Sequence, residues 1–248
     1  MKKYIFIIVI LICCGWVAAQ SSKGSSSKES GKRRALFGVS FGPSIDWFVP
    51  TSKSLSYEKE KAGLNAGILL DMSVASKEFL YFSTGLMIRY LQGEVALLNK
   101  YPFDFNHDGV DDTISAVRTY QTTYLTIPTG IKLRMNISDK FVFLGKLGLY
   151  HNFRVGGKQF DNFSQSGEED RYYITTKKKE NEDAALFAES GYLGLGVEYV
   201  FQNSLRLFLN LDYSCQFNYF KSKAKSNVSG TRFKTVVHSM HINLGFLF

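Results

Sequence analysis

A period-two alternation of apolar side chains, repeated along the chain, constrains this sequence more than any other feature. It is clearest in Leu205, Leu207, Leu209, Leu211, Tyr213, Cys215, Phe217 and Tyr219, where every second residue is apolar. Successive side chains of an extended strand point to opposite faces, so such a run presents one oily and one polar face. The stretch from Thr231 to Phe248 repeats the pattern. Met240, Ile242, Leu244, Phe246 and Phe248 fall on one side, with Ser239, His241, Asn243, Gly245 and Leu247 on the other.

Six further segments alternate in the same way. The first runs from Ala35 to Trp47, with Phe37, Val39, Phe41, Ile45 and Trp47 on one face. The second is centred on Ile68 and Leu70, the third on Phe82 and Leu86, the fourth on Ile127 and Ile131, the fifth on Phe143 and Leu147, and the sixth on Leu193 and Leu195. Short turns are expected at Ala75–Lys77, Asn136–Lys140 and Gln202–Ser204. Long polar loops are expected at Phe48–Gly63, Gly93–Thr119, Val155–Asp183 and Lys221–Gly230. Short turns at one end and long loops at the other are the habit of an up-and-down outer-membrane barrel. An even strand count brings the last strand back beside the first, and closure leaves no unpaired backbone edge in lipid.

The N-terminus fits export. Lys2 and Lys3 precede an apolar run from Tyr4 to Ile12, and Val17-Ala18-Ala19 forms a small-residue cleavage site. Residues 1–19 read as a secretory signal peptide, too short and wrongly flanked for a membrane helix. A lipoprotein cysteine at Cys13 or Cys14 is disfavoured by Ile12, where a small residue is wanted. Cleavage would leave Cys215 as the one remaining cysteine and so no disulfide framework. Residues 20–34, rich in Ser, Gly and Lys, have no apolar pattern and read as a disordered lead-in to a barrel domain at 35–248.

A mean hydropathy near zero resembles that of a soluble protein, yet a membrane barrel reaches it because half of every strand faces a polar interior. No later segment has the ~20 consecutive apolar residues of a spanning helix. The net charge of +8 is carried mainly by loops and the N-terminus, without a nucleic-acid motif, and suits anionic headgroups better than nucleic acid.

A soluble barrel would turn its apolar rows inward. Three observations point the rows outward instead. Charge is absent from the oily face in mid-strand, Glu189 and Lys234 reaching it only near the long-loop rim. Aromatics collect toward both ends, Trp47, Tyr90, Phe153, Phe217 and Tyr219 at one and Phe141, Phe143, Tyr199, Phe201, Phe246 and Phe248 at the other, as in interfacial girdles. The polar face carries many glycines, among them Gly130, Gly148, Gly194 and Gly196, which give a narrow lumen room for large neighbours. The expected fold is therefore all-β: an eight-stranded antiparallel up-and-down transmembrane β-barrel with short periplasmic turns and long extracellular loops.

The lumen would then hold Asp71, Arg89, Lys132, Arg134, Lys146, Glu198, Arg206 and Asp212, with Tyr81, Tyr150, Tyr192, Asn210 and Gln216. An eight-stranded barrel is just wide enough for its own side chains to fill. Buried charges persist when paired, so these residues read as a salt-bridge plug in preference to a conducting path or proton relay.

The most specific local motif is Asp104-Phe-Asn106-His-Asp108-Gly109-Val-Asp111-Asp112. Oxygen ligands Asp104, Asn106, Asp108 and Asp112 around a turn glycine match the first half of a calcium loop, although Ser115 stands where a bidentate Glu belongs. The stretch reads either as a weak calcium loop or as a solvated acidic tip of the second long loop, and no other cofactor is expected. Ser239 and His241 share the polar face of the last strand, but point inward and lack an evident acid, which argues for lumen filling over lipid hydrolysis. Lys221, Lys223, Lys225, Arg232 and Lys234 crowd the fourth long loop and could meet lipopolysaccharide phosphates through charge-assisted contacts.

The run Tyr124-Leu-Thr-Ile-Pro-Thr-Gly-Ile-Lys-Leu-Arg134, then Phe141-Val-Phe-Leu-Gly-Lys-Leu-Gly-Leu-Tyr150 and Gly191-Tyr-Leu-Gly-Leu-Gly-Val-Glu-Tyr199, resembles the PorT-like outer-membrane β-barrel family. The resemblance spans Ala35 to Phe248 and departs from the family's pattern at Thr129-Gly130. It implies the architecture of small OmpA- and OmpX-type barrels, a place in the bacterial outer membrane, and no catalytic residues. A secretion-accessory or narrow porin-like role is what such kinship would add. The expected partners are outer-membrane lipid, lipopolysaccharide and the barrel-assembly machinery reading the C-terminal strand. The expected role is non-enzymatic, exercised through the extracellular loops.

Overall fold

The computed structural model describes residues 35–51, 55–74, 79–97, 114–165, 174–175, 179–180, 184–201, 205–217, 220–225 and 232–248. Residues 1–34, expected to form a signal peptide and lead-in, and the expected calcium loop at Asp104, Asn106, Asp108 and Asp112 lie outside them.

Eight long strands form the wall: β1 (Ala35–Pro50), β2 (Leu55–Ser73), β3 (Leu80–Leu97), β4 (Ile114–Asn136), β5 (Phe141–Gln165), β8 (Phe187–Val200), β9 (Arg206–Gln216) and β11 (Arg232–Leu247). Three short ones, β6 (Ile174–Thr175), β7 (Lys179–Glu180) and β10 (Phe220–Lys225), add to its long-loop end. Each wall strand pairs antiparallel with its neighbour, and β1 pairs with β11 from Gly38↔Leu247 up to Pro50↔Thr235. Beyond this ladder Phe37 and Phe248 exchange backbone hydrogen bonds of 3.1 and 2.8 Å, which completes the ring. The ladder skips Gly42 and Pro43 on the β1–β11 side and Pro128 on the β3–β4 side. A proline has no N–H to give a neighbouring strand.

Burial follows the alternation. Phe37, Val39, Phe41 and Ile45 of β1 are exposed while Leu36, Ser40, Ser44 and Asp46 between them are buried. Leu195, Leu209, Leu211, Ile242 and Leu244 likewise face outward, opposite buried Glu198, Asn210, Asp212, His241 and Asn243. The oily rows are on the outside. In hydrocarbon that costs nothing, and the closed ladder satisfies the backbone.

Glycine sets the lumen's dimensions at one level. Gly130 and Gly148 are partners on β4 and β5, and a Cβ on Gly148 would lie 2.7 Å from both the Gly130 Cα and the Tyr192 Oη. Their missing side chains are the space that Tyr192 fills from β8.

The strands run farther than the apolar alternation does. Where loops are expected at Phe48–Gly63, Gly93–Thr119 and Val155–Asp183, β1, β2, β3, β4 and β5 continue, and β4 and β5 reach 23 and 25 residues. A membrane crossing needs only about 9–11. The reason is a reversal of pattern. Phe48, Leu55, Leu91, Val95, Tyr120, Ala184 and Val237 form a buried apolar cluster inside this extension. Tyr57, Glu58, Lys59 and Glu60 are exposed on its outside. Past the bilayer the wall stands in water, so apolar side chains turn inward and polar ones outward. A reading that follows outward-facing apolar rows stops where the sign changes.

Candidate functional site

The lumen at the short-turn end holds an ionic cluster set into an apolar lining of Leu36, Tyr81, Val142, Leu144, Phe208 and Leu247. Asp71 on β2 takes the Lys132 ammonium at 2.5 Å and the Ser83 hydroxyl at 2.7 Å, with Arg134 at 3.9 Å. Arg134 Nη2 donates to both oxygens of Glu198, at 2.6 and 2.8 Å, and Arg206 reaches the same carboxylate at 3.5 Å. The Arg134 guanidinium also lies 4.4 Å from the Tyr81 ring centre and Lys132 5.8 Å from that of Phe208. Five charged side chains from five positions on four strands thus form one connected unit. Ladder register brings them together: Lys132 stands opposite Tyr81, and Glu198 opposite Val142.

One level up, Lys146 pairs with Asp212 at 2.7 Å, and Asn243 donates to the same carboxylate oxygen at 2.8 Å. Tyr150 and Tyr192 stack above with ring centres 4.3 Å apart. Next comes a layer organised by Arg89. It donates to Asn152 Oδ1 at 3.2 Å and His241 Nε2 at 2.9 Å, and sits 4.7 Å from the Tyr150 ring centre. Asn152 also receives the Thr126 hydroxyl at 2.8 Å. Of the eight charged lumen residues read from the sequence, seven take part in ion pairs here. Arg89 instead holds neutral partners and an aromatic face.

Sequence reasoning missed Asp46, which shares the inward parity of Ser44 and is buried. It accepts hydrogen bonds from the Ser44 hydroxyl at 3.2 Å and the Gln92 backbone N–H at 3.3 Å. Asp46 also stands opposite Ser239 in the β1–β11 ladder, so Ser239 does have an acid close by. His241 is not the link between them. Its ring meets Arg89, Asn65 and the Ser214 hydroxyl, at 3.2 Å for the last. A hydrolytic relay needs nucleophile, base and orienting acid in series, and these side chains are not in series.

A cavity of about 30 Å³ lies among Ser40, Lys146, Tyr192, Asn210, Asp212 and Asn243, and another of about 10 Å³ beside Arg89, Tyr124 and Ser239. Each is of the size that one or two waters need. Among the described residues no group of three His, Cys, Asp or Glu side chains is placed to hold a metal ion.

Polar side chains also meet one another on the outer wall. Near the β1–β11 seam, Trp47 stacks on His238 at 5.9 Å, and the Tyr213 hydroxyl meets His238 Nδ1 at 2.6 Å. Across β4, β5 and β8, the Thr129 hydroxyl lies 2.9 Å from His151 Nε2, and His151 Nδ1 lies 3.3 Å from Glu189. Strand register makes this second group, and register is not legible in the alternation of any single strand. Of the basic residues expected at headgroup level, Lys221 stands opposite Lys234 and Lys225 opposite Arg232 along the β10–β11 ladder.

A closed ring of antiparallel strands with apolar rows outside and charge within is an integral barrel of the bacterial outer membrane. Residues 18–222 match the family of the outer membrane protein beta-barrel domain, and the chain belongs to that family. Among solved structures, it is similar to the attachment invasion locus protein Ail of Yersinia pestis, at 11% identity and a TM-score of 0.34, covering 87% of this chain and 100% of that one. It is also similar to Neisserial surface protein A, at 8% identity and a TM-score of 0.38, covering 85% and 95%. OprG from Pseudomonas aeruginosa is similar at 13% identity and a TM-score of 0.37, covering 88% and 98%. No curated protein sequence matches the chain significantly. Residence in the outer membrane puts the outer wall in contact with lipid.

Proposed function

We propose that this protein is a non-enzymatic outer-membrane barrel whose lumen is plugged by its own paired charges and which acts through its extracellular end. The observation that carries the reading is the unit of Asp71, Lys132, Arg134, Glu198 and Arg206. Its ions, all but the partly exposed Arg206 shut off from solvent, are paired with one another, a state that buried charge tolerates and a conducting path does not need. The working surface is then the long-loop end, where β2, β3, β4 and β5 project beyond the wall. At its rim Lys221, Lys223, Lys225, Arg232 and Lys234 pair with lipopolysaccharide phosphates. The register that sets Lys221 opposite Lys234 and Lys225 opposite Arg232 along one ladder supports this reading.

Single-channel recording in planar bilayers tests the plug. The expected result is a quiet membrane, with steady conductance appearing when Arg134 and Glu198 are both replaced by alanine. Steady openings of the unmodified protein would favour narrow porin-like transport. A secretion-accessory role of the PorT-like kind has a separate signature: deletion of the gene would strand exported cargo in the periplasm while the membrane stays non-conducting.

A further inference from the structure

We infer that the outer wall bears a selective site for a lipid whose acyl-linkage region carries N–H and O–H donors, built from Thr129, His151, Glu189 and a furrow at Gly145. The inference uses the membrane placement of the barrel and is independent of whether the lumen conducts.

The first element is depth. Phe153 and Phe187, partners on β5 and β8 with ring centres 5.1 Å apart, and exposed Phe217 form an aromatic row at the long-loop end of the outer wall. Aromatic rows of this kind sit at headgroup level. His151 and Glu189, also ladder partners, lie two residues farther into the wall. Two residues of a tilted strand descend about 5 Å, which is the depth at which acyl chains join their headgroup.

The second is chemistry. The His151 ring bridges the other two, with Nδ1 3.3 Å from the Glu189 carboxylate and Nε2 2.9 Å from the Thr129 hydroxyl. Glu189 stands on the outward face with its side chain 41% exposed. At this depth an ester-linked lipid offers only carbonyl acceptors, which a carboxylate repels. A lipid with amide-linked or hydroxylated chains offers donors, and a carboxylate accepts them in charge-assisted bonds that are stronger for being away from water.

The third is shape. Gly145 on β5 points outward, and a Cβ there would meet only the Leu133 Cβ, at 4.0 Å. Leu147, Leu193 and Leu195 around it are well exposed. The wall therefore dips at Gly145, on the strand that carries His151, and leaves a shallow apolar furrow there for an acyl chain.

The test needs two lipids alike in headgroup and different in linkage. Sphingomyelin, with an amide N–H and a hydroxyl, and phosphatidylcholine, with two esters, share phosphocholine. The folded barrel is reconstituted in nanodiscs holding equal amounts of both, and the lipid retained on release is counted by native mass spectrometry. The expected result is about threefold enrichment of sphingomyelin, the factor one net hydrogen bond supplies. Glu189→Leu should abolish the enrichment, and Gly145→Leu should lower retention of both lipids. Equal retention by the unmodified protein, or enrichment unaffected by Glu189→Leu, overturns the inference. Heat-dependent gel mobility establishes that each variant is folded, since both substitutions lie on the lipid face.

Discussion

Arg134 and Glu198 are joined inside the barrel by one guanidinium nitrogen that donates to both carboxylate oxygens, at 2.6 and 2.8 Å, with both side chains almost wholly shut off from solvent. Neither residue is near the other in sequence, and each arrives on its own strand. The pair illustrates how the lumen is held: among its buried apolar side chains stand ions that would be intolerable singly.

That gives a first prediction. Glu198→Leu leaves buried Arg134 only the more distant Asp71 carboxylate, at 3.9 Å, and should cost about 3–5 kcal/mol in reversible urea unfolding. Arg134→Met combined with Glu198→Leu should recover most of the loss, because Asp71 keeps Lys132 and the partly exposed Arg206 can hydrate. If the double variant is as unstable as the single one, the pair is not the unit described.

Glycines on opposite faces of one wall should behave oppositely. Gly130→Ala drives a methyl group to 2.5 Å from the Leu147 carbonyl oxygen and into the Tyr192 hydroxyl, a clash worth about 1–3 kcal/mol. Gly145→Ala enters open space on the lipid side and should leave stability unchanged or raise it slightly. The same urea series reads both.

The extracellular extension should respond as a soluble core does. Phe48 is fully buried there and stacks on Tyr120 with ring centres 5.4 Å apart. Phe48→Ala should loosen the projecting hairpins by about 3–5 kcal/mol if they open as a unit. Proteolysis within 51–63 should accelerate while the detergent-resistant gel mobility of the wall persists.

The rim cations make a fourth prediction. Charge reversal by Lys221→Glu with Lys225→Glu should reduce lipopolysaccharide co-purifying with the folded barrel several-fold, and high salt should reduce it for the unmodified protein too. Retention that ignores both changes would mean that the rim charges are simply solvated.

Much of this fold is legible because period two is a local property. Leu207, Leu209 and Leu211 announce an outward row without reference to any other strand, and the same parity puts Asp71, Lys132 and Glu198 inside. What parity cannot supply is the sliding of one strand on the next. The meeting of Arg134 with Glu198, the neutral partners of Arg89, and the group of Thr129, His151 and Glu189 all depend on register across two or more strands. Asp46 was within reach of parity and was obscured by the aromatic end of its segment. The long hairpins were hidden for a different reason, since their alternation is inside out relative to the wall they extend.

The barrel's place in the membrane depends on which rows face hydrocarbon, and thiol labelling at Leu209 and Leu211 measures that directly. In a Cys215→Ala background, Leu209→Cys and Leu211→Cys barrels in liposomes should react with a bilayer-confined maleimide and resist a charged, membrane-impermeant one. Rapid modification by the impermeant reagent, with none from within the bilayer, would contradict the barrel's orientation inside and out.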